Sequence, residues 1–192
     1  MSRLLRMFVL LAFVAACGGG NYSAPRNLDN ACSILKQRPT YLKAMQRSER
    51  KWGVPLHVQM ATIYQESKFI GNARTPRQFV LGVIPMGRQS SAYGYSQALD
   101  GTWDEYRKET GSWGARRDDI YDAADFIGWY MAQSTQDLGI SPSDAANQYL
   151  AYHEGRTGYA RRSHRSKSWL MRISTKVGAQ SDLYQSQLVT CT

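Results

Sequence analysis

Three short segments of the sequence carry side chains that could act on a substrate. Glu66 and Ser67 lie together, GYSQ spans residues 94–97, and AYHEG spans residues 151–155. A carboxylic acid can donate and accept a proton in general acid/base catalysis, and amides, phenols and imidazoles can hold polar groups by hydrogen bonds. Glu66 is therefore the candidate catalytic residue, and the other two segments are candidate binding segments.

Glu66 falls in the last turn of a predicted helix. This helix begins at Pro55, a residue suited to the first helical position, and runs to about Ser67. Its apolar stripe consists of Leu56, Met60 and Ile63. A carboxylate at a helix C-terminus faces the negative end of the helix dipole, so the position favours the protonated acid.

The remaining sequence also has helical periodicity, with turn signals between segments and no long β-alternating run. Further helices are predicted from Pro39 or Thr40 to Trp52, over 96–110, 119–138 and 167–178, and from Ser141, Pro142 and Asp144 to Gly155. Residues 70–93 are predicted to form a long loop, because glycine and proline interrupt every period there. The fold class is therefore mainly α with a long central loop.

The N-terminal residues predict export. Arg3 and Arg6 precede an apolar run from Met7 to Ala16, which has the length of a signal-peptide core and is too short to span a bilayer. The run ends in VAAC, which resembles the lipobox of bacterial lipoproteins and implies an acylated Cys17; an ordinary cleavage site is the alternative. By the sorting convention of such lipoproteins, Gly18 implies the outer membrane, facing the periplasm.

We therefore divide the chain into a signal peptide (1–16), a lipidated cysteine with its linker (17–38) and one folded domain (39–192), expected to be a monomer. If Cys17 is acylated, Cys32 and Cys191 remain, and export favours a disulfide between them over two free thiols. There is no CxxC motif and no Cys/His cluster, so neither a metal site nor a cofactor is expected.

The composition is that of a globular protein with a strong positive charge. Hydrophobic residues make up 43% and charged residues 20%, and the formal net charge is +9. This charge favours anionic partners, and export argues against nucleic acid. The stretch from Arg156 to Lys176 holds seven basic residues and no acidic one. It is either a solvated basic face or a cradle for anionic peptide carboxylates or a membrane surface.

The three segments, in this order, resemble the motifs of lytic transglycosylases, which are a catalytic ES, then GLMQ, then AYNxG. The resemblance covers roughly residues 41–159. It implies a lysozyme-like helical domain that cleaves the β-1,4 bond between N-acetylmuramic acid and N-acetylglucosamine in peptidoglycan without water. The product would carry a 1,6-anhydro-muramyl end. Glu66 would protonate the leaving oxygen and then act as a base on the C6 hydroxyl, so its pKa should be raised.

The resemblance also assigns roles to the first two segments. Ser67 matches the serine that positions the acid or the sugar, and the alternative is a simple helix cap. Gln97 matches the glutamine that contacts sugar, and Gly94 matches the glycine that permits close backbone approach. Tyr95 and Ser96 replace the usual leucine and methionine, which makes this turn more polar.

In the third segment, Tyr152 matches the tyrosine whose hydroxyl reaches the catalytic glutamate. His153 stands where asparagine is usual and can still donate to an N-acetyl carbonyl, although it adds a group that titrates near neutral pH. Glu154 is a second carboxylate, which would raise the pKa of Glu66 if the two were close. Core packing for Tyr152 and a surface position for Glu154 are the structural alternatives.

Other functions remain open at this point. A hydrolytic muramidase of the same fold would admit water and use Glu154 or Asp100 as its second carboxylate. A peptidoglycan-binding lipoprotein without turnover would explain why two of the motifs depart from their common forms. A structural envelope lipoprotein with no sugar site is a third possibility.

Overall fold

The structure is a computed structural model that describes residues 22–81 and 83–191. The predicted signal peptide and Cys17 lie outside these residues. Within the described part of the chain, no helix is long and apolar enough to cross a membrane.

Helices dominate the described chain, as predicted. They are α1 (Ala31–Gln37), α2 (Pro39–Trp52), α3 (Leu56–Ser67), α4 (Asp100–Thr110), α5 (Ile120–Leu138), α6 (Ala145–Glu154), α7 (Arg156–Ala160), a 3-10 turn (Ser163–Ser166) and α8 (Ser168–Leu188). The fold class is therefore confirmed as mainly α.

Three predicted helix boundaries need correction. The helix predicted from residue 96 begins only at Asp100, because residues 94–97 form a turn. Asp144, rather than Ser141, caps α6, since its carboxylate accepts a 3.0 Å hydrogen bond from the Asn147 amide. Helix α8 continues to Leu188 instead of ending near residue 178, because its buried stripe continues past that point.

The prediction of a structureless loop over residues 70–93 is also wrong in part. Its centre is a hairpin of two antiparallel strands, β1 (Arg77–Val80) and β2 (Ile84–Arg88), in which Arg77 faces Arg88 and Phe79 faces Pro85. The glycines and prolines of this segment interrupt helical periodicity, but they do not prevent two short strands from pairing.

The close packing of α2 against α5 requires a glycine. A Cβ at Gly128 would lie 2.3 Å from Ser48 Oγ and 2.6 Å from Trp52 Cδ1. The Ser48 hydroxyl meanwhile donates a 2.7 Å hydrogen bond to the carbonyl of Ala124. The two helices therefore approach each other at a position where any side chain on α5 would force them apart.

Asp125 joins three helices at the edge of this contact. Its carboxylate accepts hydrogen bonds from Lys51 (2.9 Å), Trp52 (2.9 Å) and Tyr106 (2.8 Å). Next to it lies an aromatic cluster of α4, α5 and α6 whose neighbouring ring centroids are 5.1 to 6.3 Å apart: Trp103, Tyr106, Phe126, Trp129, Tyr130 and Tyr152. This cluster packs α5 against α4 and α6 within the core.

Helix α8 closes the other side of the domain against α3 and α6. The disulfide predicted between Cys32 and Cys191 is present and ties α1 to the end of the chain. Helix α1 lies within the segment 17–38 that was expected to be a linker, and Ala31, Ile34 and Leu35 are buried there. On the chain-entropy model, closing a loop of this length stabilises the fold by about 5 kcal/mol.

We expect Gly128→Ala to lower the free energy of unfolding by about 1–3 kcal/mol, because the new methyl group overlaps Ser48 and Trp52. Gly101→Ala is the matched control, since Gly101 is also helical but a Cβ there would have no atom within 4 Å. The control should be neutral or stabilising by up to about 1 kcal/mol. Denaturant unfolding measures both, and equal behaviour of the two variants would show that the α2–α5 contact is not tight.

Candidate active site

Glu66 lies in the last turn of α3, as predicted, and the helix ends directly after it. Lys68 and Phe69 both have left-handed backbone conformations, with φ of 52° and 60°. Such a conformation costs a residue with a side chain roughly 1–2 kcal/mol. Phe69 is fully buried and stacks on Tyr41 with a centroid distance of 5.7 Å, which offsets this cost.

Burial determines the protonation of Glu66. The residue remains partly accessible to solvent, yet protein atoms surround its carboxyl group, and desolvation raises its pKa from 4.5 to about 7. A hydrogen bond with the Tyr149 hydroxyl and the positive charge of Lys68 act in the opposite direction and limit the rise. Glu66 can therefore hold a proton and release it near neutral pH.

The phenol that contacts Glu66 differs from the one expected. The hydroxyl of Tyr152 was expected to reach the acid, but it donates a 2.6 Å hydrogen bond to the carbonyl of Ser96. The phenol whose hydroxyl acts on the pKa of Glu66 is that of Tyr149 instead. Both tyrosines lie on the same face of α6 because they are three residues apart, and this spacing was the signal that sequence analysis missed.

Each of the two phenols has a strongly raised pKa. For Tyr149 and Tyr152 the first cause is burial, and the second is the nearby negative charge of Glu66. They are therefore neutral hydrogen-bond donors at physiological pH.

The GYSQ turn is fixed by close backbone contacts. A Cβ at Gly94, where φ is +80°, would lie 2.0 Å from the carbonyl oxygen of Arg117, so only glycine fits. The side-chain amide of Gln97 donates to the carbonyls of Ala73 (3.0 Å) and Gly94 (2.8 Å). Both amide N–H groups of Gln97 are thus used to hold the turn.

Two of the predicted binding residues are buried. The Tyr95 hydroxyl lies 3.2 Å from the hydroxyl of Tyr41, and only 4% of the residue is exposed. The Ser67 hydroxyl donates to the carbonyl of Ile63 one turn earlier in its own helix, at 3.2 Å. In this structure both side chains support the elements around Glu66 from within the core.

Glu154 is held by two donors at the end of α6. Its carboxylate accepts hydrogen bonds from Ser163 (2.5 Å) and Lys167 (2.7 Å), and these bonds lower its pKa to about 2. The rise in the pKa of Glu66 comes from burial and not from the charge of Glu154.

His153 and Trp169 form an accessible pair beside this anchor. Their rings meet edge to face at 5.2 Å, 36% of the His153 side chain is exposed, and His153 Nδ1 lies 3.4 Å from Glu154. Trp169 is itself half exposed.

The predicted basic stretch is only partly free of partners. Arg156 pairs with Asp137 at 3.1 Å and Lys167 pairs with Glu154, whereas Arg161, Arg162, Arg165, Arg172 and Lys176 are exposed. Among the described residues, no group of three or more His, Cys, Asp or Glu side chains could hold a metal ion.

The fold and the site define a lysozyme-like helical domain, in which a carboxylic acid of raised pKa lies in the last turn of a buried helix and a small two-stranded sheet follows along the chain. A family model described as the transglycosylase SLT domain matches residues 5–191, and the chain belongs to this family. The family is that of lytic transglycosylase-type proteins, which degrade peptidoglycan in the cell envelope. No curated protein matches the sequence.

Tyr149→Phe is expected to raise the pKa of Glu66 further above 7, because it removes the hydrogen bond that favours the carboxylate. Tyr152→Phe is the matched control, since that hydroxyl bonds to Ser96. Carboxyl-carbon NMR of protein with labelled glutamate would follow the titration. A larger shift in the Tyr152 variant than in the Tyr149 variant would contradict this assignment.

Proposed function

We propose that the protein cleaves the β-1,4 bond between N-acetylmuramic acid and N-acetylglucosamine without water and leaves a 1,6-anhydro-muramyl end. Glu66 is the catalytic acid and base in this proposal. The observation that carries it is the burial of the Glu66 carboxyl at a helix end that still retains some access to solvent, because this burial raises the pKa of Glu66 to about 7.

In the first step, protonated Glu66 gives its proton to the glycosidic oxygen as the bond to the anomeric carbon breaks. The N-acetyl group of the substrate stabilises the positive charge that develops at that carbon. The Tyr149 hydroxyl and Lys68 stabilise the carboxylate that Glu66 becomes, and these interactions grow stronger as the negative charge forms.

In the second step, the Glu66 carboxylate accepts the proton of the C6 hydroxyl, whose oxygen then bonds to the anomeric carbon. The proton count closes, because Glu66 ends the cycle protonated as it began. A pKa near the working pH serves both steps. We therefore expect kcat/KM to fall above about pH 7, where free Glu66 loses its proton.

The competing muramidase mechanism needs a second carboxylate free to act on water or on the anomeric carbon. The two carboxylates considered for this role are engaged elsewhere. Asp100 pairs with Arg117 at 2.7 Å, and Glu154 is bonded to Ser163 and Lys167. These contacts favour the mechanism that requires Glu66 alone.

A binding protein without turnover is disfavoured by the cost of Glu66. The folded protein retains the proton up to about pH 7, whereas a glutamate in the unfolded chain releases it near 4.5. Stability therefore falls as pH rises between these values, by on the order of 3 kcal/mol, and the full cost persists above pH 7. Glutamine would bind sugar without this cost, so retention of the acid favours catalysis.

Among the other site residues we assign substrate contact to His153, whose exposed ring beside Trp169 offers a donor and an apolar surface to an N-acetyl group. We assign positioning roles to Ser67, Tyr95, Gln97, Tyr152 and Glu154, whose polar atoms are bonded within the protein.

We further propose a monomer anchored to the outer membrane through acylated Cys17 and facing the periplasm. The VAAC sequence after an apolar run supports the anchor. The disulfide supports an oxidising compartment.

Glu66→Gln should abolish turnover while leaving the fold intact. We expect release of anhydro-muropeptides from purified sacculi to fall by at least about 10²- to 10⁴-fold, because the glutamine side chain can neither give nor take the proton. At pH 8 the variant should be more stable than the wild type, and this advantage should vanish below about pH 4.5. Mass analysis of the digests and denaturant unfolding measure the two effects.

Glu105→Gln is the matched control, since Glu105 is exposed on α4 and should leave turnover within about twofold. The assignment of Glu66 fails if its folded variant releases anhydro products at more than about a tenth of the wild-type rate. Reducing ends in place of anhydro ends would favour the muramidase mechanism.

Cys17→Ala should release the protein from membranes, because it removes the site of the acyl chains. Membrane fractionation and mass spectrometry of the mature N-terminus would check this. A variant that still fractionates with detergent-soluble membrane would refute the anchor, and it would leave the proposal for Glu66 untouched.

A further inference from the structure

The tip of the β1–β2 hairpin exposes a group of apolar side chains that the proposed mechanism does not use. Phe79, Leu81, Val83 and Met86 are between 54% and 87% exposed, and none of them belongs to the core of buried residues. From Phe79 to Met86 the sequence contains no charged or hydrogen-bonding side chain. Apolar patches of this kind mark a surface that another molecule covers.

Arginines surround the base of this tip. Arg77 and Arg88 face each other across the two strands. Arg74 lies below them on the stem, by which we mean residues 71–76 and 89–93, and it pairs there with Tyr93. Like charges directly opposite each other destabilise a strand pair unless an anion lies between them. Within the described residues none of the three takes part in an ion pair with a protein carboxylate, and the sequence has no Asp or Glu from residue 67 to residue 99.

The described chain begins beside the stem of the same hairpin. The carbonyl of Tyr22 accepts a 3.0 Å hydrogen bond from the amide of Gly71, and the side chain of Tyr22 lies against Gly71. The hydroxyls of Tyr22 and Tyr93 both donate to Asp118, at 3.3 and 3.1 Å. The N-terminal chain therefore enters the domain between the two ends of the segment that carries the hairpin.

The lengths involved bring the tip within reach of a membrane at Cys17. Four residues lie between Cys17 and Tyr22, so the five Cα–Cα steps that join them span at most about 18 Å. The chain from Ala73 through β1 to Leu81 has eight Cα–Cα steps, which cover at most about 26 Å when extended. A hairpin longer than the tether can touch the bilayer that holds the anchor.

We propose that the hairpin tip inserts into the interface of an anionic phospholipid bilayer, with Arg74, Arg77 and Arg88 bound to lipid phosphates. The apolar tip side chains reach the boundary between headgroups and acyl chains, and the guanidinium groups lie at the level of the phosphates. Arginine binds phosphate oxygens through paired N–H groups. The proximity of the membrane rests on the anchor proposed above, whereas the tip and its arginines do not depend on it.

This contact would orient the catalytic helix relative to the membrane. The stem follows α3 directly, since Gly71 lies five residues after Glu66. An acyl chain alone is a flexible tether. An acyl chain together with an inserted hairpin gives two attachment points and holds the domain at one height above the bilayer.

The test places an environment-sensitive fluorophore at the tip of the full-length, lipidated protein. Leu81→Cys supplies the labelling site, and Gln136→Cys supplies the control. Gln136 is exposed near the C-terminal end of α5, about 24 Å along that helix from its first residue, Ile120. Both labelled proteins are reconstituted into vesicles of phosphatidylcholine with phosphatidylglycerol and into vesicles of phosphatidylcholine alone. Quenchers attached to the lipid acyl chains report insertion.

We expect the label at position 81 to shift to the blue and to be quenched in the phosphatidylglycerol vesicles, while the label at position 136 stays in water. Arg77→Gln and Arg88→Gln should each lower the equilibrium constant for insertion about fivefold, which corresponds to ~1 kcal/mol per arginine at an anionic surface. Equal loss of insertion with Gln78→Ala would show that the arginines have no special role and would overturn the phosphate contact.

Three results would overturn the proposal. The label at position 81 could remain in water in every vesicle. It could become shielded only when glycan strands are added, which would make the tip a glycan contact. It could become shielded in detergent in proportion to protein concentration, which would indicate contact with a second copy of the chain.

Failure of this proposal is distinguishable from failure of the proposed function. Leu81→Asp should abolish insertion and leave release of products from purified sacculi within about twofold of the wild type, because the tip takes no part in catalysis. Inactivity of the wild-type protein on sacculi would refute the catalytic proposal alone. A mature N-terminus without acyl chains would refute the anchor alone, and the unanchored protein would then be tested by its partition to the same vesicles.

Discussion

The removal of the Glu66 carboxyl group from bulk water is the constraint on which the rest of the structure depends. A glutamate at a helix end would remain ionised at neutral pH if water surrounded it, and it could not then act as an acid. Protein atoms therefore have to approach the carboxyl from several sides while leaving one side open. Helix α6 contributes Tyr149, and Lys68, the residue that follows α3, lies near enough for its charge to act on the carboxyl group.

This arrangement lowers stability, so the remainder of the domain has to compensate. Desolvation of Glu66 and two successive left-handed residues, Lys68 and Phe69, each oppose folding. The α2–α5 contact and the disulfide involve none of the residues that shift the pKa of Glu66, and they contribute stability without altering its surroundings. Tight packing elsewhere in the domain thus offsets the strain at the site.

Much of the helical framework followed from local signals. Three helices end at a glycine in the left-handed conformation, namely Gly53, Gly111 and Gly139. Asp119 caps the start of α5. Such ends can be predicted from single residues. The hairpin was missed because its strands are exposed and pair with each other alone, which leaves no alternation of buried and exposed side chains. The extension of α8 was missed because Gly178 resembles a helix end, whereas it is a point of close approach to Ala146.

Motif residues were located more reliably than their contacts. The position of Glu66 and its raised pKa could be predicted from the helix end and the resemblance. The interaction of Tyr149 with Glu66 could not be predicted, because it depends on which face of α6 is turned toward α3. Periodicity places a residue on a face, and only packing decides which neighbouring helix that face meets. The roles of Tyr95 and Ser67 were uncertain for the same reason, since sequence does not distinguish a buried tyrosine from one that lines a site.

The contacts of the three motifs form a closed path that returns to Glu66. Phe69 follows Glu66 and stacks on Tyr41, and the Tyr41 hydroxyl meets that of Tyr95 in the GYSQ turn. The backbone carbonyl of the next residue in that turn, Ser96, accepts a hydrogen bond from the hydroxyl of Tyr152 in AYHEG. Tyr149, one turn earlier on the same helix, bonds to Glu66.

This path gives a physical reason for the departure of GYSQ from GLMQ. Tyrosine at position 95 supplies both a ring and a hydroxyl to the Tyr41 contact, and the link at Ser96 uses its backbone carbonyl, which any residue would provide. Gly94 and Gln97 hold the turn by a close backbone approach and by two amide hydrogen bonds, and these two positions retain the motif. Gly94 and Gln97, which match the family motif, thus fix the turn, whereas Tyr95, which departs from it, supplies the link to Tyr41.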